Sequence, residues 1–420
     1  MSSPVGPDTT RADSSPSAPR HTWRPLSITL VVLCQSMQSL TLGGIALFLP
    51  LIRKDVGLSF TQAGSLAAAS TFIYALMQIP SGYLADRIGA RRLFLVGLAG
   101  CNLLALSLAL LHSYWLIVLN QAVSGFFRSL VFAPGLILIG ALFPPRRRAT
   151  AMGLYVAGGF SSNILLNALG PVLVGPLGWR TLFIAFSVSG LLVLLLFRQL
   201  GAPGPRGSGS ASLSPGQIWS LFRHRVMRAI AVIQFVRLAV ASSIAFWLPT
   251  FIVVQKHQSL QVAGLVVALS AAVTAPSNFL GGYVSDRIGR PLAVVALSLA
   301  MLSATNILLV EINNLVALLA VVVVNGLFLQ LYFGPLFSIP IAMLGQRAAG
   351  FASGYGNFFA NLGGFTLVYV LGIVKDATGS FSVGFYALSG LCLGGLGTTY
   401  LLSRMAAIEI PSLPGASSAS

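Results

Sequence analysis

The sequence predicts an all-α membrane protein of twelve transmembrane helices, arranged as two pseudo-symmetric bundles of six. Three observations predict it. Hydrophobic residues make up 56% of the 420 residues and charged residues only 8%, with a mean hydropathy of +0.87, far from the balance of a soluble domain. Apolar stretches of about 20 residues, enough to cross roughly 30 Å of hydrocarbon, recur along the chain with nearly all the charge between them. Segments of the first half also return about 200 positions later.

Taken in order, residues 1–24 are rich in Ser, Pro, Thr and Arg and lack an apolar core, so they read as a disordered cytoplasmic tail rather than a cleaved signal peptide. A first bundle over 25–200 holds spans near 26–50, 61–81, 92–111, 115–142, 150–173 and 180–198. Residues 201–225 include a Gly, Pro and Ser stretch that buries too little surface to fold, and they read as a flexible cytoplasmic linker. A second bundle over 226–405 holds spans near 228–254, 262–282, 291–310, 315–342, 350–372 and 381–403, and 406–420 is a second tail. An even count puts both termini on one side.

Positive residues near span ends are retained in the cytoplasm, so Lys and Arg decide which side that is. Eighteen arginines, among them Arg87, Arg91, Arg146, Arg223, Arg290 and Arg404, fall on the side of the termini, and only Arg53, Lys54, Arg180, Lys256 and Lys375 fall on the other. The expected location is therefore the plasma membrane or a cell inner membrane, with both termini cytoplasmic. The net charge of +17 is accounted for by topology and implies no nucleic-acid partner. Cys34, Cys101 and Cys392 all sit in apolar segments as small buried hydrophobes, so no disulfide or metal framework is expected.

The internal repeat is specific. Gly82-Tyr83-Leu84-Ala85-Asp86-Arg87-Ile88-Gly89 returns as Gly282-Tyr283-Val284-Ser285-Asp286-Arg287-Ile288-Gly289 at an offset of 200. Ile45 to Pro50 returns as Ile244 to Pro249 at 199, and Phe132-Ala133-Pro134 as Phe333-Gly334-Pro335 at 201. Two parallel six-helix repeats around an axis along the membrane normal rock against each other about a central site in many carriers.

At these residues the chain resembles the major facilitator superfamily, whose signature in the loop after the second helix is a Gly, then Asp-Arg, then Gly and basic residues. Gly82, Asp86, Arg87, Gly89, Arg91 and Arg92 fit the first copy, and Gly282, Asp286, Arg287, Gly289 and Arg290 the second. The resemblance covers residues 25 to 405 and implies a secondary transporter working by alternating access. It also implies that the two Asp-Arg turns are gates, their charge-assisted bonds holding the halves in one state. Gly170-Pro171 is similar to the superfamily's antiporter motif but lacks its surrounding glycines. Asn120 and Gln121 stand where the fourth helix commonly carries an arginine, and Arg128 lies two turns further on. The glycines of the eleventh span, Gly354, Gly356, Gly363 and Gly364, with the following loop Lys375 to Phe381, resemble the organic-anion branches.

Two charges remain inside the membrane, Arg128 in the fourth span and Arg237 in the seventh, each within a few ångströms of mid-depth. A charge there costs roughly 2.5 to 3.5 kcal/mol on insertion scales, so it usually faces a cavity or a partner. No Asp or Glu lies within a span to neutralise either. In the superfamily fold the first, fourth, seventh and tenth helices line the cavity, which implies that both guanidiniums meet an anionic substrate. Gln38, Gln121, Gln234, Asn325 and Gln330 lie on the same four helices as neutral hydrogen-bonding groups, with Trp247 and Tyr332 as aromatic walls. Helix packing is the competing role for each amide and aromatic.

Three function classes are weighed: a carrier of small organic anions, an exporter of lipophilic or neutral compounds, and a membrane enzyme or receptor. His21, His112, His224 and His257 all lie in tails or near span ends, and no cluster suited to catalysis is visible. A cationic-drug exporter would offer a membrane carboxylate, and there is none. The organic-anion carrier, acting on a carboxylate, is the expectation, with no cofactor, the lipid bilayer as surroundings, a monomeric state, and a counter-ion or co-transported proton as the open partner.

Overall fold

The structure, a computed structural model, describes residues 24–143, 148–204, 223–336, 339 and 349–409. The surroundings of Gly82, the side chains of Asp86 and Asp286, the stretch 205–222 of the expected linker and the outermost tails lie outside what is described. The first half contains α1 (Arg24–Leu47), α2 (Leu49–Val56), α3 (Phe60–Ile88), α4 (Ala90–Leu108), α5 (Tyr114–Ala141) and α6 (Arg148–Leu200). The second contains α7 (Arg225–Val254), α8 (Leu260–Ile288), α9 (Pro291–Glu311), α10 (Leu315–Leu331), α11 (Ala349–Thr378) and α12 (Ser382–Glu409).

Twelve crossings follow from these twelve elements. The short α2 continues α1 past Phe48 and stops at Gly57, whose left-handed φ of 73° lets its N–H reach the Arg53 carbonyl. The long α6 breaks at Gly178 (φ 76°, ψ 155°), a backbone conformation open to glycine, and so crosses twice. Prolines inside the helices, such as Pro134, Pro171 and Pro249, are tolerated because neighbouring helices take up the freed backbone groups.

One expectation about helix ends is corrected. The Asp-Arg stretches are not loops: α3 runs to Ile88 and α8 to Ile288, so Gly82 to Ile88 and its repeat form the last two turns of those helices. Only Gly89 (φ 94°) and Gly289 (φ 66°) turn the chain. The tenth span is a regular helix to Leu331, breaks at Tyr332 and resumes over 333–336, and its expected end at 342 falls among residues outside the described set.

The repeat seen in sequence is also a repeat of packing. A methyl group on Gly125 of α5 would strike the Ser70 carbonyl of α3, and one on Gly326 of α10 would meet the Ser270 carbonyl of α8 at 3.1 Å. The halves then touch each other by the same device at the end remote from the termini. Gly64 of α3 lies on the Val368 carbonyl of α11, and Gly264 of α8 on the Asn167 carbonyl of α6. Glycines of α11 also let helices approach closely, with Gly363 against the Phe235 backbone and Gly356 against Gln234 of α7.

Candidate functional site

A cavity of about 390 Å3 lies between the halves, walled by α1, α3, α5 and α6 on one side and α7, α8, α10 and α11 on the other. Arg128 reaches it from α5. Its Nη1 donates to Ser70 Oγ at 3.3 Å, and its guanidinium carbon stands 4.4 Å from the centre of the Tyr74 ring. A part-buried cation over an aromatic face gains about 0.5–2 kcal/mol, which helps hold the side chain in place without neutralising it. No carboxylate stands among the described lining residues. Behind Arg128, the residues Gln38, Asn120 and Gln121 surround a void of about 20 Å3, room for a single water.

Of the residues chosen from sequence, Arg128, Gln121 and Gln330 line the cavity, and Gln38 lines the small void beside it. Gln121 is steadied by donating to Asn120 Oδ1 at 3.1 Å, while Asn120 donates to Ser107 Oγ at 2.8 Å and ties α5 to α4. The structure does not bring Arg237 to this wall. It is 4% exposed, donates from Nε to Gln234 Oε1 at 2.7 Å, and stacks 4.9 Å from the Phe333 ring centre. Gln234 is thereby engaged away from the cavity as well. Asn325 donates to Thr305 Oγ1 at 2.9 Å and Asn306 Oδ1 at 3.2 Å, joining α10 to α9. Tyr332 is fully buried.

Trp247 serves the closed end. Its Nε1 donates to the Val368 carbonyl at 2.9 Å, and its ring packs on Phe60 and Phe381. Beside it the first turn of α3 is capped from the other half. Asp376 at the end of α11 accepts from the Phe60 N–H at 2.9 Å and the Thr61 N–H at 2.6 Å. Arg53 covers the Phe60 ring at 3.4 Å, and Lys375 approaches the same ring at 5.3 Å. Burial lowers the Arg53 guanidinium from its ordinary value, and the Asp376 charge opposes that shift.

At the end of the termini, the residues read as gates show separate roles. Arg91 donates to the Arg198 carbonyl at 2.8 Å and caps the end of α6 within its own half. Arg287 is exposed and meets Tyr283 OH at 3.5 Å, and Arg290 is the residue preceding the first turn of α9. Arg87 is also exposed.

Sequence reasoning missed Ser70, Thr71, Asn163, Asn167, Ser242, Ser270 and Thr274 on the cavity wall, and Asp376 at the seam. The pairing of Ser70 with Ser270 at the repeat offset and the one-turn spacing of Asn163 and Asn167 were the available signals.

The sequence matches the Major Facilitator Superfamily over residues 31–368. The chain belongs to this superfamily. It is similar to the nitrite extrusion protein of Bacillus subtilis, 26% identical over 356 residues, covering 81% of this chain and 85% of that one. It is also similar to the D-galactonate transporter of Escherichia coli, 23% identical, covering 78% of this chain and 84% of that one. Its fold matches the crystal structure of a bacterial homologue of the human lysosomal transporter Spinster, in an inward-facing and occupied conformation. That match has a TM-score of 0.78 at 16% identity and covers 92% of this chain and 98% of the other. This superfamily member is a multi-pass membrane protein and a transporter rather than an enzyme.

Proposed function

We propose that this transporter carries a small organic anion, a carboxylate, by alternating access, with Arg128 as the group that holds the charge. The observation that carries the reading is a half-buried guanidinium on the wall of the cavity between the halves, supported by a hydroxyl and a ring and facing no described carboxylate. An anion supplies the missing counter-charge through the planar fork of the guanidinium. The activities for which the relatives are named, nitrite extrusion and D-galactonate transport, are both movements of anions. Efflux of lipophilic or neutral compounds would leave the Arg128 charge uncompensated in the bilayer.

In this reading the Gly64, Gly264, Trp247 and Asp376 contacts close the extracytoplasmic end, and the Asp86 and Asp286 segments gate the cytoplasmic end. Both termini and the linker lie in the cytoplasm, as the arginine distribution requires. Arg237 braces α7 through Gln234 and Phe333 rather than binding substrate. Isothermal titration of the purified protein with small carboxylates tests the proposal. Binding that is lost in Arg128→Gln and weakened in Arg128→Lys supports it. Equal affinity in the folded Arg128→Gln protein overturns it, as an external reporter signal from a tag in the linker would overturn the orientation.

A further inference from the structure

We infer that the groove between α9 and α12, at the end of the termini, binds an anionic phospholipid, with an acyl chain between the two helices and the phosphate held by Arg290 and Arg404. The inference is independent of what the central cavity carries.

The two halves treat equivalent ground differently, and the difference opens the groove. At the repeat offset of 200, Gly397 of α12 stands where the first half has Phe197. Phe197 is 1% exposed, packs edge-on against Phe94 of α4 and lies under the guanidinium of Arg91. The chain then folds back, with Gly204 against Arg91 and Leu138 and the Ala202 N–H donating to Ser27 Oγ at 2.9 Å. The first half thus fills its own groove. In the second half α12 continues as a helix to Glu409, and a methyl group on Gly397 would meet nothing within 4 Å.

What this leaves is a groove of about 970 Å3, lined by Leu292 and Ala296 of α9, by Leu393, Leu396 and Tyr400 of α12, and by the buried Ile339. Leu393 and Tyr400 are more than half exposed, so it opens outward from the bundle, toward lipid. From Leu393 to Ser403 it follows α12 for about 15 Å, the depth of hydrocarbon in one leaflet. An apolar slot of that length suits an acyl chain.

The mouth sets the head group. Arg290 lines the groove just before α9, whose first turn has no side-chain cap. Arg404 stands 4.9 Å from the centre of the Tyr400 ring, on the α12 wall. No acidic residue is among the described lining residues, and neither arginine pairs with a described carboxylate. Two unneutralised guanidiniums beside an apolar slot at a span end match a phosphate that carries acyl chains. A zwitterionic lipid brings an ammonium that the same arginines repel. Residues 410–420 carry no acidic side chain and offer no such match.

The test is native mass spectrometry of the full-length protein, stripped of lipid in detergent and titrated with dioleoylphosphatidylglycerol or dioleoylphosphatidylcholine. With two arginines at the head group, the wild type should prefer phosphatidylglycerol about thirtyfold. Arg290→Gln combined with Arg404→Gln should bring the two lipids within about threefold of each other. Gly397→Leu, whose side chain enters the open groove, should weaken both lipids at least about fivefold. Thermal unfolding verifies that each variant folds, and the wild-type preference stands as an independent measure if one does not. Equal binding of the two lipids by the wild type, or a preference that survives the double substitution, overturns the inference. Glycerol phosphate binding as tightly as phosphatidylglycerol also overturns it, in favour of a free phosphate ester. A dimer that Gly397→Leu dissolves overturns it in favour of a second copy of the chain.

Discussion

Position 128 in the first half is an arginine and its repeat counterpart, 329, is a leucine, yet both stand on the cavity wall. Ser70 and Ser270 form the same kind of pair, each lining the cavity and each lying under a glycine of the neighbouring helix. Gly64 and Gly264 likewise close the far end by equivalent contacts, on Val368 and Asn167. The seams then part company. Asp376 of the α3–α11 seam caps a helix of the other half, whereas its counterpart in the α6–α8 seam is Gly175, which a methyl group could occupy without contact. Duplicated positions thus set how closely helices approach, which a repeat can share. Unduplicated ones carry the charge and the latch, where the two halves need different chemistry.

The largest effect that sharpens this comparison is expected at Trp247. Its side chain is wholly buried where the second half meets α3, so Trp247→Ala should cost about 3–5 kcal/mol of stability. Ile45 to Pro50 is the repeat of its segment, and Phe48, its nearest counterpart in the first half, is also fully buried. Thermal unfolding of Trp247→Ala and Phe48→Ala should give comparable losses, and a harmless Trp247→Ala would break the picture of a packed seal.

A smaller effect is expected at the latch. Removing a carboxylate cap costs about 0.5–2 kcal/mol, so Asp376→Ala should shift the closed end toward opening by roughly two- to thirtyfold. A cysteine introduced at Ala67, on the cavity wall, should label faster from the side remote from the termini in that background. Unchanged labelling would reduce Asp376 to a surface turn. The smallest effect is expected at Arg91. Its bonds to the Arg198 and Gly201 carbonyls complement the end of α6, a contribution of about 0.3–1 kcal/mol. Arg91→Gln should lower the melting temperature slightly and leave transport rates near wild type, and a large transport defect would make it a gate after all.

Most of the helices were legible because the bilayer forces them to be long, apolar and separated by charge. Their ends on the side of the termini were not, since Asp-Arg at the end of α3 is as compatible with two more helical turns as with a loop, and the signal that settles it is Gly89. Arg128 was legible as a cavity cation because the chain offers no acid at its depth. Arg237 carried the same signal, and its withdrawal depends on Gln234 one turn earlier and on Phe333 of a distant helix. The Asp376 cap joins residues 316 and 315 positions apart, which no local pattern reveals.

The two arginines separate the account from its rival most directly. Affinity for a bound carboxylate should be measured side by side in wild type, Arg128→Gln and Arg237→Gln proteins that unfold at matched temperatures. Loss of the anion's charged hydrogen-bond partner in Arg128→Gln should weaken binding about thirtyfold, or 2 kcal/mol. Arg237→Gln should stay within about fivefold of wild type, the effect of one lost supporting hydrogen bond. The reverse order, with Arg237→Gln abolishing binding and Arg128→Gln sparing it, would contradict the account.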